Sequence, residues 1–128
     1  MKPKLLLVED TPTGESRARR LLGEYFQIIA VRNPRAAKNY LAGTNEYAVV
    51  VTNLALEDES RIDYGPRVGL RLIRDLRRQH PEIVLVAWTK QSAEYQEDAV
   101  AAGANLAIEK YHGDEEMAEQ ILSLLSAA

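Results

Sequence analysis

Residues 47–54 read Tyr-Ala-Val-Val-Val-Thr-Asn-Leu, an apolar β-branched run that ends in the polar pair Thr52 and Asn53. A run without polar alternation suits a strand covered by helices on both faces, as in a parallel sheet. Working outward, similar runs occupy Lys4 to Glu9, Gln27 to Val31, Glu82 to Trp88 and Asn105 to Glu109. The three middle runs all lack alternation, and helical patterns fill the intervals. Strands alternating with helices in this way predict an α/β chain of (βα)5 type, wound on both sides of a five-stranded parallel sheet.

The helix signals are explicit. Thr11 is placed to cap a first helix with Pro12 in its first turn, and Ala18, Leu21, Leu22 and Tyr25 form its apolar face. Asn33-Pro34 repeats the signal for a second helix, with Ala37, Tyr40 and Leu41 inward and Gly43 as its stop. A third helix is expected after Gly69, carrying Leu72, Ile73 and Leu76 and ending before His80-Pro81. A fourth runs from about Ser92 to Ala102, and a fifth has Asp114 as cap with Met117, Ile121, Leu124 and Leu125 on one face.

The 128 residues suffice for one domain spanning 1–128 and are too few for two, and the apolar and charged fractions are those of a packed chain. A net charge of −3 gives no overall attraction for nucleic acid or anionic membrane. The absence of cysteine excludes disulfides, thiolate metal sites and cysteine nucleophiles. Apolar runs such as Leu5 to Val8 are far below membrane-spanning length, so the chain reads as soluble, and its lack of cysteine is compatible with a reducing cytoplasm. There is neither a G-x-x-x-x-G-K loop nor a G-x-S-x-G elbow, so an enzymatic reading has no site.

In open parallel sheets, chemistry gathers at the carboxyl ends of the strands. Glu9 and Asp10 follow the first strand, Asn53 the third, Thr89 the fourth and Lys110 the fifth. Paired carboxylates suit a hard cation such as Mg2+, and a hydroxyl with an ammonium suits phosphoryl oxygens.

At these residues the chain resembles the receiver domain of bacterial response regulators. The matching pieces are Leu-Leu-Val-Glu-Asp (6–10), Tyr-Ala-Val-Val-Val-Thr-Asn-Leu (47–54), Val-Ala-Trp-Thr (86–89), Ala-Gly-Ala (102–104) and Ile-Glu-Lys (108–110). The resemblance covers essentially the whole chain and implies a flavodoxin-like strand order 2-1-3-4-5. In the family the acidic pair holds Mg2+, an aspartate ending the third strand accepts a phosphoryl group from a histidine kinase, and threonine and lysine read the new charge. By position these roles fall on Glu9 and Asp10, on Asn53, and on Thr89 and Lys110.

The match fails at the acceptor. A carboxamide is uncharged and delocalised, and Asn53 should form no acyl phosphate. It also removes an anionic ligand, so no cofactor is expected beyond a weak or vestigial Mg2+ site at Glu9 and Asp10. Beside Lys110 the neutral amide is expected to leave the ammonium less compensated. Lys90 stands where the family usually has a small residue and is a candidate to block the pocket. Ala107 replaces the aromatic that swings on activation, and Tyr111 replaces the proline that usually follows the lysine, removing the usual reason for a cis bond.

The stretch Leu54 to Val68 is too long for an ordinary strand-to-helix loop and carries Glu57, Asp58, Glu59 and Asp63. It reads as an acidic, solvated loop, whose carboxylates are alternatively a source of metal ligands or, at Asp58 or Asp63, a relocated acceptor. Arg67, Arg71, Arg74 and Arg78 recur at helical spacing, as a solvated face or a grip for an acidic partner. His80, His112 and Tyr95 read as structural or surface residues. The resulting expectation is a pseudo-receiver acting on protein partners of a bacterial signalling pathway, without nucleic acid or membrane, as a monomer or weak homodimer. The alternatives are a phosphorylatable receiver using Asp58 or Asp63, an aspartate replaced by Asn53 through engineering, and a domain cut from a longer protein.

Overall fold

The computed structural model describes every residue except Glu59, Arg61, Gln91, Ser92 and Ala128. Its elements run β1 (Lys4–Val8), α1 (Pro12–Leu22), β2 (Gln27–Val31), α2 (Pro34–Leu41), β3 (Tyr47–Thr52), β4 (Leu56–Glu57), β5 (Tyr64–Gly65), α3 (Pro66–Gln79), β6 (Val84–Thr89), α4 (Ala93–Ala102), β7 (Leu106–Glu109) and α5 (Met117–Ser126), the last preceded by a 3-10 turn at Asp114–Glu116. β1, β2, β3, β6 and β7 form a parallel sheet in the order β2-β1-β3-β6-β7, the predicted topology. β4 and β5 form a separate antiparallel hairpin.

Alternation along the strands divides the core in two. Leu6, Val8, Val50, Leu85 and Ala87 pack with Ala37 and Leu41 of α2, Leu72, Ile73 and Leu76 of α3, and Ala99 of α4. Leu5, Leu7, Val49, Val51, Val86 and Trp88 pack on the opposite face with Ala18 and Leu22 of α1 and Met117 and Ile121 of α5. Each apolar run therefore serves both layers, which is why it shows no polar alternation. β1, β3 and β6 are the deeply buried strands. The Gln27–Val31 run was expected to be covered on both faces, but it lies at the sheet edge and is mostly half-buried.

Thr11 and Asn33 cap α1 and α2 as the sequence predicts: Thr11 Oγ1 accepts from the Gly14 amide at 3.0 Å and Asn33 Oδ1 from the Ala36 amide at 2.9 Å. Tyr25 and Tyr40, expected inward, are exposed because each falls off the buried stripe of its helix or beyond its end.

The third helix begins at Pro66, before Gly69, and Pro66 repeats the proline of the Asn33-Pro34 signal, without a capping side chain at Gly65. Gly69 has another task. Its amide donates to the Leu54 carbonyl at 3.0 Å, and a Cβ there would sit 2.4 Å from Leu54 Cα, so glycine lets α3 press against the chain leaving β3. The expected loop is instead partly a hairpin, anchored by buried Leu54 and Leu56. Asp58 Oδ1 organises its tip, accepting from Ser60 Oγ at 2.8 Å and from the amides of Ile62 and Asp63 at 3.2 and 3.4 Å. The α4 start expected at Ser92, and Glu59 of the loop, lie outside the described residues.

Candidate functional site

The ladder continues past the strand ends and draws them level. The Glu9 amide donates to the Val31 carbonyl at 3.0 Å, Asn53 to Val8 at 2.9 Å and Lys110 to Thr89 at 2.9 Å. A cavity of about 350 Å3 opens at this edge, lined by Asp10, Thr11, Thr13, Asn53, Ala55, Tyr64, Lys90, Lys110 and Tyr111. Of the residues singled out from the sequence, Asp10, Asn53, Lys90, Lys110 and Tyr111 thus reach the cavity. Glu9 and Thr89 are buried beside it and do not line it, and Ala107 lies with Val100 and Leu106 along a different, apolar surface.

Glu9 turns under the first turn of α1. Its Oε2 accepts from the Thr11 amide at 3.1 Å and from Thr11 Oγ1 at 2.9 Å, and its Oε1 accepts from Lys110 Nζ at 2.5 Å. Gly14 makes the space, because a Cβ there would stand 2.4 Å from Glu9 Cδ. Lys110 thus has a carboxylate partner in Glu9 although Asn53 offers it no charge. Its ammonium also lies 4.5 Å from the centre of the Trp88 ring.

The Asn53 side chain is closed onto the backbone of the two residues that follow it. Its Oδ1 accepts from the Leu54 amide at 3.0 Å and its Nδ2 donates to the Ala55 carbonyl at 3.4 Å. Asp10 is the contrasting residue: its Oδ1 is buried without a hydrogen-bond partner. Burial pushes the Asp10 carboxyl above its usual range, and the adjacent Glu9 carboxylate adds to the shift. Its backbone amide and Lys110 offset part of it.

This donor set is a poor fit for Mg2+, which needs close octahedral oxygen ligation. Both Glu9 oxygens are engaged, the Asn53 amide presents N–H to the Ala55 carbonyl, and Asp10 alone offers a free carboxylate oxygen. The loop acids do not complete the set among the described residues, where no group of three or more His, Asp or Glu side chains is arranged to hold a metal. Glu57 and Asp58 do share a neighbouring cleft with Asp10, but Arg32 and Arg35 line it too, and Asp63 pairs with Arg71 at 2.8 Å.

Lys90 and Tyr111 form the cavity wall together, the Lys90 ammonium 5.1 Å from the ring centre, while the Arg17 guanidinium lies 4.8 Å from the same ring. Tyr111 takes a left-handed backbone with φ of 74°, and no peptide bond among the described residues is cis.

What holds this loop was missed in the sequence. Asp114, expected as a helix cap, is wholly buried and makes no cap bond. It accepts from Arg17 Nε and Nη2 at 2.7 and 2.6 Å, from Trp88 Nε1 at 3.0 Å and from the Tyr111 amide at 3.0 Å. Burial pushes this carboxyl up, but the Arg17, Tyr111 and Trp88 donors prevail and hold it at about 2. An aspartate before an amphipathic helix reads first as a cap, and only the three-dimensional positions of Arg17 and Trp88 reveal the other use.

No family model and no curated protein matches the chain. Solved structures do. A signal receiver domain of an HD domain-containing protein from Pseudomonas fluorescens Pf-5 is 19% identical, covering 100% of both chains with a TM-score of 0.81. A signal receiver domain of a signal transduction histidine kinase from Syntrophus aciditrophicus is 26% identical, covering 98% of this chain and 92% of that one with a TM-score of 0.77. The BeF3-activated DrrB receiver domain is 20% identical, covering 98% and 99% with a TM-score of 0.80. The chain has the flavodoxin-like fold of receiver domains.

Proposed function

We propose that the chain is a pseudo-receiver: a single signalling domain over residues 1–128 that keeps the receiver fold and acts by protein–protein contact, with no phosphoryl transfer to Asn53. The observation that carries this reading is the state of Asn53 and its neighbours. The acceptor position holds a neutral amide closed onto the Leu54 and Ala55 backbone, and the nearby lysine is committed to Glu9. The nucleophile, the metal clamp and the strand-end lysine that would read the phosphoryl oxygens are each compromised at the same edge.

Lys90 lies across the cavity wall on Tyr111, and Ala107 offers no aromatic to swing. The output is accordingly a fixed surface, read by protein partners of a bacterial two-component pathway in the cytoplasm, by a monomer or weak homodimer. No helix among the described residues is long and apolar enough to cross a membrane. The positions of Asp58 and Asp63 favour Asn53 over a relocated acceptor as the centre of this reading, because Asp58 Oδ1 holds the hairpin tip, Asp63 holds Arg71, and neither lines the Asn53 cavity.

Incubation with Mg2+ and acetyl phosphate followed by intact-mass measurement tests the reading. The expected mass is unchanged. An alkali-labile gain of one phosphoryl group, on Asp58, Asp63 or elsewhere, would overturn it.

A further inference from the structure

The arginines of α3 are the strongest feature that the strand-end site does not use. α3 carries five arginines, no lysine and one acid, Asp75. Arg77 is withdrawn from the surface: it donates to the carbonyls of Gly103, His80, Pro81 and Ile83 and to Asn105 Oδ1, tying α3 to the neighbouring loops. The other four, Arg67, Arg71, Arg74 and Arg78, are all exposed. Their spacing of four, three and four places them in one row, about 16 Å long at 1.5 Å per residue.

Little on the protein neutralises that row. Arg71 pairs with Asp63 at 2.8 Å, and the helix's own Asp75 is taken by Lys38 of α2 at 2.8 Å. Arg67, Arg74 and Arg78 have no carboxylate partner among the described residues. Arg35 of α2, also exposed, adds a further guanidinium across the shallow α2–α3 cleft. The acids lie elsewhere: α4 contains Glu94, Glu97 and Asp98 with no basic residue, and residues 114–119 contain Asp114, Glu115, Glu116 and Glu119 with none.

We infer that the outer face of α3 is a docking surface for an acidic helical segment of a partner protein, whose carboxylates, three and four residues apart, meet Arg67, Arg71, Arg74 and Arg78. The choice of arginine fits forked hydrogen bonding to carboxylates. A protein helix rather than nucleic acid fits a short straight row on a molecule of net charge −3, whose acidic remainder repels an extended polyanion. The inference rests on the reading that the chain works by contact, but its test is separate from the phosphodonor assay, since the α3 face lies apart from Asn53.

The probe is a synthetic helical peptide of about five turns with glutamates at four-three-four spacing. Its controls are a permuted peptide of the same composition and a short DNA duplex, all titrated by fluorescence anisotropy at low and at physiological salt. The spaced peptide should bind at least about tenfold more tightly than the permuted one and weaken as salt rises. Arg74→Glu with Arg78→Glu should abolish that preference while circular dichroism stays unchanged. Arg20→Glu on α1, an exposed arginine away from the row, should leave it intact. Equal binding of the two peptides, no binding, tighter binding of the duplex, or equal loss in the Arg20 variant would each overturn the inference.

Discussion

Lys110 Nζ and Glu9 Oε1 form a buried ion pair of 2.5 Å between the ends of β7 and β1, the two partners 4% and 0% exposed. Each has additional support, Glu9 from Thr11 and Lys110 from the Trp88 ring. A buried pair is costly to break from one side, because the remaining charge is stranded. Glu9→Gln should therefore destabilise the fold by about 3–5 kcal/mol. Glu9→Gln combined with Lys110→Met should recover most of that loss. Urea unfolding of the three proteins decides it, and a single variant costing less than the double would refute the assignment.

Asp114 gives the pH dependence. Its folded pKa, about 2, lies below the ordinary aspartate value of 3.8, so it binds its proton more readily in the unfolded chain. The stability it contributes is fully present above about pH 4 and is lost as pH falls from there through about 2. The shift corresponds to roughly 2 kcal/mol. Asp114→Asn should flatten the acid limb of the stability curve and, by stranding Arg17, lower stability at neutral pH by at least that much. Guanidinium titrations between pH 2 and 7 would show it, and an unchanged acid limb would count against the network.

Why some of this was legible in the sequence and some was not follows from the range of the interactions. Thr11, Asn33 and the apolar runs declare themselves because caps and strands are local, and their register then fixes which strand ends meet. The α3 start is also local, at Pro66, whereas Gly69 looks like a start signal only along the sequence: its real cause, contact with Leu54, spans fifteen residues of chain that include a hairpin. Glu9 with Lys110, and Arg17 with Asp114, are separated by 101 and 97 residues. Composition shows that such charges exist, but only the sheet order shows which of them share a partner.

Gly69→Ala sets two principles against each other. Alanine in place of glycine favours a helix by about 1 kcal/mol. Here its Cβ would fall 2.4 Å from Leu54 Cα and 2.8 Å from the Asn53 carbonyl oxygen, and backbone cannot yield as a side-chain tip can. The clash should win, with a net loss of about 1–3 kcal/mol. The displacement should reach Asn53, visible as shifts of the Asn53 and Leu54 amide resonances. A stabilised variant with unmoved resonances would show that α3 does not press on the end of β3.

Asn53→Asp restores the missing carboxylate and exposes what the site lacks. The new charge would stand near Asp10, whose Oδ1 is already buried and unpartnered, while Lys110 remains held by Glu9. Two like charges in one cavity, with Lys110 held by Glu9 and Lys90 laid on the Tyr111 ring, destabilise the folded state, so the melting temperature should fall at neutral pH without divalent ions. Millimolar Mg2+ should restore it, because a cation binding only the folded form adds stability by mass action. The natural chain, with one free carboxylate oxygen and a neutral amide, should melt at the same temperature with and without Mg2+. Asp10→Asn in the Asn53→Asp background should remove both the penalty and the Mg2+ response. If instead the natural chain gains several degrees from Mg2+ and Asn53→Asp adds nothing, the amide at 53 is not what weakens the metal site.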